Sequence, residues 1–159
     1  MTPTIRSAGP DDAGHIAHFI RELARFEKLE HQLDVDEQRL RDQLSADHPV
    51  FGSLIAEVEG QPVGFALYFT NYSTFLTRPC LYLEDLFVLP EHRSGGVGLT
   101  LLRSLAALAI ERGCSRLDWC VLDWNVKAIQ FYERHGARLM TDWRVCRLEG
   151  DALERLARS

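Results

Sequence analysis

The sequence lacks any long apolar segment. None of its runs approaches the ~18 uninterrupted apolar residues that a membrane-spanning helix needs. The N-terminal stretch MTPTIRSAGPDD also lacks the apolar region of a secretory signal peptide. We therefore expect a soluble, cytoplasmic protein with no membrane partner.

Cysteine pairs at metal-ligand spacing are also missing. Cys80, Cys114, Cys120 and Cys146 form no C-x-x-C pair, which argues against a disulfide framework in a reducing compartment. We expect four free thiols in or near the core. The six histidines contain no H-E-x-x-H pattern, so the sequence predicts no metal site.

Basic residues are too few and too scattered for a nucleic-acid surface. The chain has 18 Lys and Arg against 23 Asp and Glu, a formal net charge of −5, and no Lys/Arg cluster. This balance argues against a nucleic-acid partner and mildly favours a cationic substrate. With 46% hydrophobic and 26% charged residues, and no repeat or linker, residues 1–159 fit a single globular domain.

What the sequence does contain is a strand, a glycine turn and a helix in succession. An apolar run at 81–88 is stopped by Pro90, residues 93–98 read RSGGVG, and a Leu- and Ala-rich stretch with helical spacing covers about 96–112. Such a junction directs bare backbone N–H groups and the positive end of the helix dipole at one spot. The pattern predicts a binding site for a phosphate or pyrophosphate.

Other glycine loops differ from this turn in spacing. A P-loop is excluded because no Lys follows the glycines. The dinucleotide fingerprint Gly-x-Gly-x-x-Gly is matched at Gly96 and Gly98, but its third glycine is replaced by Leu101. Asp118 lies at a suitable distance in the sequence for the acidic residue that binds the ribose in such proteins. That interpretation stays open at this point, as does a glycine-rich connection that binds nothing.

Hydrophobic periodicity predicts a mixed α/β domain. The predicted elements are, in order, strand 4–7, helices 12–29 and 36–45, an antiparallel hairpin from Phe51, a surface loop at 71–79, strand 81–88, helix 96–112, strand 117–122, a helix that Asn125 caps, a closing β segment at 137–148 and a helix at 151–158 that Asp151 caps. Strands 81–88 and 117–122 are expected to be parallel because a helix separates them. The side chains expected on the buried side of helix 96–112 are Leu99, Leu102, Leu105, Ala106 and Ala109.

Two motifs in the second half resemble those of the GNAT N-acetyltransferases. Arg93-Ser94-Gly95-Gly96-Val97-Gly98 is similar to the family's acetyl-CoA pyrophosphate loop, Gln/Arg-x-x-Gly-x-Gly/Ala. Asn125-x-x-Ala128-x-x-Phe131-Tyr132 resembles the motif in which Asn and Tyr flank the thioester end of acetyl-CoA. Over nearly the whole chain, the words LYLEDLFV, VLDWN, AIQFYERHGA and ELARFEKLEHQ resemble the spermidine/spermine and thialysine N-acetyltransferases.

The resemblance implies a GNAT fold, which is an α/β fold with a mixed central sheet of about six to seven strands flanked by helices. It also implies a homodimer with acetyl-CoA as cosubstrate. Backbone groups of Leu86, Phe87 and Val88 are expected to hold the pantetheine arm as an added strand, and the amides from Ser94 to Leu99 to take the pyrophosphate. The other residues expected at the cosubstrate are Arg93, Gly95, Gly96, Val97, Gly98, Asn125, Val126, Lys127, Ala128 and Tyr132.

Acetylation of an amine requires a base for the ammonium proton and an acid for the departing thiolate. Glu84 suits the first role because desolvation in an apolar strand makes a carboxylate a stronger base. Asp85 is the competing candidate, since strand alternation directs the two side chains to opposite faces. Tyr132 suits the second role because a phenol is neutral at pH 7 and can donate a proton. The resemblance implies the same roles for Glu84 and Tyr132.

A polyamine site needs separated acids with apolar surface between them. Glu27, Glu84 and Asp118 are the predicted acids, and the matching positions contact substrate in the similar enzymes. The residues predicted beside them are Phe26, Trp119 and Cys120.

The sequence therefore indicates an N-acetyltransferase that acetylates a polyamine, a diamine or a lysine-like small molecule by direct attack, without an acyl-enzyme. A non-catalytic acyl-CoA-binding sensor is the alternative from another class. A different acceptor, such as a protein N-terminus or an antibiotic, is the alternative within the family.

Overall fold

The structure is a computed structural model that describes residues 2–159. Its strands and α-helices are, in chain order, β1 (Thr4–Ser7), α1 (Ala13–Glu27), α2 (Glu37–Leu44), β2 (Gly52–Val58), β3 (Gln61–Ser73), β4 (Arg78–Val88), α3 (Val97–Glu111), β5 (Leu117–Trp119), α4 (Val126–Arg134) and α5 (Gly150–Arg158). The chain divides into two compact units, one that ends at Cys120 and one that begins at Val121. Within the described range, no helix is long and apolar enough to cross a membrane.

A mixed sheet forms the centre of the first unit. The strand order is β1-β2-β3-β4-β5, and neighbours are antiparallel except for the parallel pair β4 and β5. Parallel neighbours need a crossover connection, which α3 supplies. The predicted α/β class, with a mixed sheet and flanking helices, is confirmed.

The number of strands differs from the prediction. Residues 2–159 contain a five-stranded sheet rather than six to seven strands, and the segment 137–148 forms no strand. Trp143 and Val145 in this segment are exposed. The segment has the residue types of a strand, but a strand also needs a hydrogen-bonded neighbour, which a local pattern cannot reveal.

The ends of several strands and of the last helix also differ from the prediction. Asn71 pairs with Cys80 and Ser73 with Arg78, so much of the predicted loop at 71–79 belongs to a hairpin of β3 and β4. Conversely, β5 ends at Trp119 rather than at residue 122. The last helix begins one residue early, with Glu149 at its N-cap instead of Asp151.

Helix α1 packs on one face of the sheet. Ile16, Phe19, Ile55, Phe65 and Phe87 share one buried cluster, in which the rings of Phe19 and Phe65 stack with centroids 5.5 Å apart. Full burial of side chains of this size stabilises the fold by about 1.5–3 kcal/mol each. This packing holds α1 against the sheet.

Helix α3 covers the opposite face. A Cβ atom at Gly98 would lie 3.9 Å from Leu86 and Val88, which alternate along β4 with the α1-facing Phe87. Of the side chains predicted to be buried, Leu99 is half-buried and Ala106 is exposed. The buried side chains of α3 are Val97, Leu101, Leu102, Leu105 and Ala109.

The four cysteines are free thiols, as predicted. Cys80 is buried and Cys114 half-buried, whereas Cys120 and Cys146 are exposed. The predicted place in or near the core is therefore wrong for the last two.

Candidate active site

The junction of β4 and α3 forms the predicted strand, glycine turn and helix. A 3-10 segment, Pro90–Gly95, follows β4, and Gly96 at the N-cap of α3 has a left-handed backbone with φ of 75°. A residue with a side chain adopts this conformation at a cost, whereas glycine adopts it freely. The turn thereby directs the first amides of the 15-residue helix α3 toward one place.

The surface at this turn is open. A Cβ atom added at Gly95 or Gly96 would have no neighbour within 4 Å, and one at Gly98 would make only ordinary contacts with Leu86 and Val88. No close contact within the protein therefore requires glycine at these positions, although the φ of Gly96 does favour it. Missing side chains on an outward-facing helix start leave room for a phosphate to reach backbone N–H groups. A pyrophosphate site at residues 94–99 remains a prediction.

Arg93 holds the turn to two other elements. Its Nε donates a hydrogen bond of 2.9 Å to the carbonyl oxygen of Val88. Its guanidinium carbon lies 4.9 Å from the ring centroid of Phe26 and 5.2 Å from that of Phe87, both within cation–π range. Phe26, predicted beside the substrate amine, thus contacts a cation of the protein itself.

Past residue 83, β4 leaves its parallel neighbour. The pairing of β4 with β5 covers only Leu81 with Leu117, Tyr82 with Asp118 and Leu83 with Trp119. β4 continues to Val88 while β5 ends, so this edge of β4 carries backbone groups that β5 does not bind. Leu86, Phe87 and Val88, predicted to receive the pantetheine arm, lie in this stretch.

A β-bulge interrupts β4 at the start of the same stretch. Leu67 pairs with Asp85 and the next residue, Tyr68, pairs with Leu83, so Glu84 is the extra residue. Leu67 and Phe69 lie on the same face of β3, and their partners Asp85 and Tyr82 therefore share the α1 face although they are three residues apart. Strict alternation, from which we predicted opposite faces for Glu84 and Asp85, does not apply across a bulge.

The acids at the bulge differ in burial. Asp85 is half-buried, and burial raises its pKa to about 7, with further upward contributions from the charges of Glu84 and Glu27. Glu84 is exposed. The desolvation that we expected at Glu84 therefore acts on Asp85 instead. Burial also raises the pKa of Glu27, whose carboxyl group at the end of α1 lies within electrostatic range of Asp85.

The same face of the sheet continues onto β5. Asp118 is the register partner of Tyr82, and Cys120, two residues further on, lies 3.0 Å from the Tyr82 hydroxyl through its Sγ. Burial, the bond to Cys120 and the charges of Glu84 and Asp118 raise the pKa of Tyr82. Asp118 itself accepts a hydrogen bond of 2.7 Å from Arg116 Nε.

The structure thus places most predicted substrate residues on the α1 side. Glu27 comes from the end of α1, Glu84 interacts electrostatically with both Asp85 and Tyr82, Asp118 lies on β5, and Cys120 directly follows that strand. Trp119 pairs with Leu83 and lies on the opposite face. The sequence analysis missed Tyr82 and Arg116, although each stands two residues from a predicted site residue, a spacing that in strands indicates a shared face.

The second unit holds the remaining predicted residues. The side-chain oxygen of Asn125 accepts a hydrogen bond of 3.3 Å from the backbone N–H of Ala128, so Asn125 caps α4 as predicted. Tyr132 is half-buried in α4, with its ring edge-on to Phe131 at 5.4 Å. Val126 and Lys127, in the first turn of α4, are exposed. The cosubstrate and proton-donor roles of these residues remain predictions.

Comparison with known proteins identifies the family. Residues 17–137 match the Acetyltransferase (GNAT) family. The chain is 40% identical over 164 residues to the thialysine N-epsilon-acetyltransferase of Mus musculus, with 96% of each chain covered. It is 47% identical over 91 residues to the L-ornithine N5-acetyltransferase of Arabidopsis thaliana, which covers 57% of this chain and 40% of the plant protein.

Solved structures agree with this. An integron cassette protein from the mobile metagenome of V. cholerae superposes with a TM-score of 0.82 at 30% identity, covering 100% of this chain and 99% of the other. The aminoglycoside N-acetyltransferase AAC(6')-Iy in complex with CoA has the same fold, with a TM-score of 0.72, 21% identity and coverages of 94% and 95%. The chain belongs to the GNAT family, and it is an acetyl-CoA-dependent N-acetyltransferase.

Gly98→Val tests the turn as the pyrophosphate site. A branched side chain at this helix start has room within the protein but obstructs a ligand that approaches the backbone. We expect a strongly raised KM for acetyl-CoA, at least about tenfold, with little change in circular dichroism or Tm. Gly9→Val is the control, because a Cβ atom there has no neighbour within 4 Å and the position is remote from the turn in sequence. Unchanged acetyl-CoA binding by calorimetry would move the cosubstrate site elsewhere.

Asp85→Asn tests the burial of the acid at the bulge. Folding raises the Asp85 pKa to about 7 from the ordinary value of 3.8, so the folded protein binds more protons than the unfolded chain between these two pH values. Folding stability then decreases as pH rises through this window. Asn resembles the neutral acid, so the variant should gain Tm relative to the natural protein as pH increases from 4.5 to 8, by the equivalent of about 1–3 kcal/mol. A Tm difference that is constant with pH would contradict the raised pKa, and Asp47→Asn, at an exposed carboxylate, is the control.

Proposed function

We propose that this enzyme transfers the acetyl group of acetyl-CoA to a primary amine of a polyamine, a diamine or a lysine-like small molecule. The observation that carries the proposal is the row of acids on the α1 face of the sheet, beside the β4 edge that β5 leaves. A carboxylate row attracts ammonium groups, and the adjacent strand edge can receive an extended pantetheine arm.

The named relatives support an acceptor of this kind. Those in mouse and Arabidopsis are called acetyltransferases of thialysine and L-ornithine, and a spermidine/spermine N(1)-acetyltransferase-like protein of Homo sapiens is 34% identical over 140 residues. That match covers 84% of this chain and 20% of the human protein. The three names share small-molecule acceptors that carry amines, and the net charge of −5 is compatible with such cations.

The acids at the bulge supply the base. At neutral pH the substrate amine is protonated, so a carboxylate must take one N–H proton before the nitrogen lone pair can attack the thioester carbonyl. Glu84 is our proposed base because its side chain is exposed at the bulge and is therefore accessible to a substrate. Asp85 competes for the role, because a carboxyl group with a pKa of about 7 is better matched to proton transfer at neutral pH. Attack is direct, with the C–N bond formed as the C–S bond of acetyl-CoA breaks.

Tyr132 is the proposed acid. The departing thiolate of CoA requires a proton, and a phenol donates one without carrying a charge beforehand. Asn125, Val126, Lys127 and Ala128 form the start of the same helix and are proposed to contact acetyl-CoA near its thioester end. Leu86, Phe87 and Val88 would hold the pantetheine arm and residues 93–99 the pyrophosphate.

The proposed amine pocket comprises Glu27, Glu84, Asp118 and Cys120. Phe26 contributes its ring at the Glu27 end, where Arg93 already contacts it. Trp119, on the other face of β5, is not part of this revised pocket. The pocket therefore relies on charge more than on aromatic surface.

We also propose a cytoplasmic homodimer. In support, large apolar side chains of the second unit are exposed in the single chain, among them Trp143, Val145 and Leu156. Exposed apolar groups of this kind commonly mark association surfaces. Light scattering should give twice the chain mass of 18.1 kDa, and a monomer mass at micromolar concentration would refute the dimer.

An amine panel tests the proposed function. Release of free CoA from acetyl-CoA would be measured with spermidine, putrescine, thialysine, lysine and short peptides, and the products identified by mass spectrometry. Acetylation of a terminal amine of the small molecules supports the proposal. Release with peptides alone would indicate a protein acceptor, and acetyl-CoA binding without release with any amine would indicate a sensor.

Glu84→Gln and Asp85→Asn distinguish the two candidate bases. Loss of the base should reduce kcat/KM strongly at pH 7 and less at pH 9, because more substrate amine is already neutral there. We expect this pattern, about 10²-fold at pH 7, for Glu84→Gln. The same pattern in Asp85→Asn alone would assign the base to Asp85. Equal losses at both pH values would indicate that the residue binds substrate.

Tyr132→Phe tests the acid. The change removes only a hydroxyl group, so the fold and most of the acetyl-CoA affinity should remain while kcat decreases by about 10²-fold. Phe131→Leu, which alters the neighbouring ring of the same helix, is a control for packing. An unchanged kcat in Tyr132→Phe under conditions where chemistry limits the rate would exclude the phenol as proton donor.

A further inference from the structure

Arg116, which directly precedes β5, forms an ion pair with Asp118 on the α1 face of that strand. Arg116 Nε donates to Asp118 Oδ2 at 2.7 Å, and the backbone oxygen of Arg116 accepts a hydrogen bond of 3.0 Å from Leu81 N, which anchors the residue beside β4. The Arg116 side chain is 49% exposed and that of Asp118 is 39% exposed. Within residues 2–159, no hydrogen bond engages the two Nη atoms of Arg116 or Oδ1 of Asp118.

This arrangement orients a guanidinium fork. Asp118 binds the Nε side, which leaves the two terminal nitrogens as parallel N–H donors directed away from it. A planar fork of this kind matches the two oxygens of a carboxylate. The open oxygen of Asp118 can at the same time accept a hydrogen bond from an ammonium group. The pair therefore offers one donor group and one acceptor group next to each other, which is the complement of a zwitterion.

The pair also lies at a suitable distance from the proposed base. Asp118 is the register partner of Tyr82, two residues before Glu84 on the neighbouring strand. With a rise of ~3.3 Å per residue and ~4.8 Å between strands, the Glu84 and Asp118 backbones are roughly 8 Å apart. The α-carbon and terminal nitrogen of an extended lysine are about 6 Å apart, given bond lengths of ~1.5 Å. A side chain of this length connects the two places.

We propose that Arg116 binds the α-carboxylate, and Asp118 the α-ammonium group, of an amino acid whose terminal side-chain amine is acetylated next to Glu84. This inference rests on the proposed function and makes the acceptor an α-amino acid rather than a diamine or polyamine. A diamine has no carboxylate for the fork and places a cation near Arg116. The pair thus selects by attraction for one acceptor class and by repulsion against the other.

Lysine and cadaverine are the matched acceptors for the test, because they differ only in the α-carboxylate, and ornithine and putrescine form a second such pair. The natural enzyme should show a higher kcat/KM for each amino acid than for its diamine. Arg116→Gln should reduce kcat/KM for lysine by about tenfold or more, the scale of one lost charge contact, and leave that for cadaverine unchanged or raised. Arg116→Lys, which keeps the charge but not the fork, should be intermediate.

Arg103→Gln is the control, since Arg103 is an exposed arginine of α3. Arg103→Gln should change kcat/KM for neither lysine nor cadaverine. The Tm and the KM for acetyl-CoA should be the same in all variants. Equal losses for lysine and cadaverine in Arg116→Gln would assign a merely structural role to Arg116. No loss for either, or a natural enzyme that does not prefer the amino acids, would also overturn the proposal.

Equilibrium binding separates this inference from the proposed function. Calorimetry on the CoA-saturated enzyme measures lysine and cadaverine affinity without turnover. Acetylation of diamines with no effect of Arg116→Gln refutes the carboxylate site and leaves the amine acetyltransferase intact. Lysine binding that depends on Arg116 without any CoA release supports the carboxylate site and refutes the proposed reaction. Absence of both binding and turnover refutes both.

Discussion

The bulge at Glu84 is the constraint on which the candidate site depends. One extra residue in β4 breaks the register with β3 between Leu83 and Asp85. Beyond it, β4 also separates from β5, which ends at Trp119. The separation exposes a strand edge next to the glycine turn, and the changed register brings Asp85 onto the same face as Tyr82. The open strand edge and the acids that we propose for the acceptor therefore lie close to one irregularity.

The helices that pack on the two faces of the sheet determine the surroundings of the bulge. Helix α1 packs on Phe87 and Phe65 and ends at Glu27, so it places a second carboxyl group within electrostatic range of Asp85. Desolvation and like charge then act in the same direction on Asp85. On the other face, α3 packs near Gly98 against β4, and the exposed residues Gly95 and Gly96 precede its first turn.

Sequence reasoning was accurate where short-range chemistry decides the outcome. The period of 3.6 residues indicated α1 and α3, Asn125 caps α4, and the arginine and glycines of the turn indicated the acetyltransferase family that the comparisons confirm. It was inaccurate where strand formation or burial depends on residues that are distant in the sequence. Residues 137–148 have a strand pattern without a strand, and the burial attributed to Glu84 belongs to Asp85.

The sequence by itself determined the fold class, the glycine turn before α3 and the presence of paired acids, because each depends on residue types at short fixed spacings. Only the tertiary structure decided which acid is buried, that Phe26 contacts Arg93, and that Arg116 pairs with Asp118. A bulge changes which residues share a face without leaving a local signal in the chain. Desolvation and charge, likewise, depend on what the fold brings near a residue, as when Glu27 at the end of α1 comes within electrostatic range of Asp85.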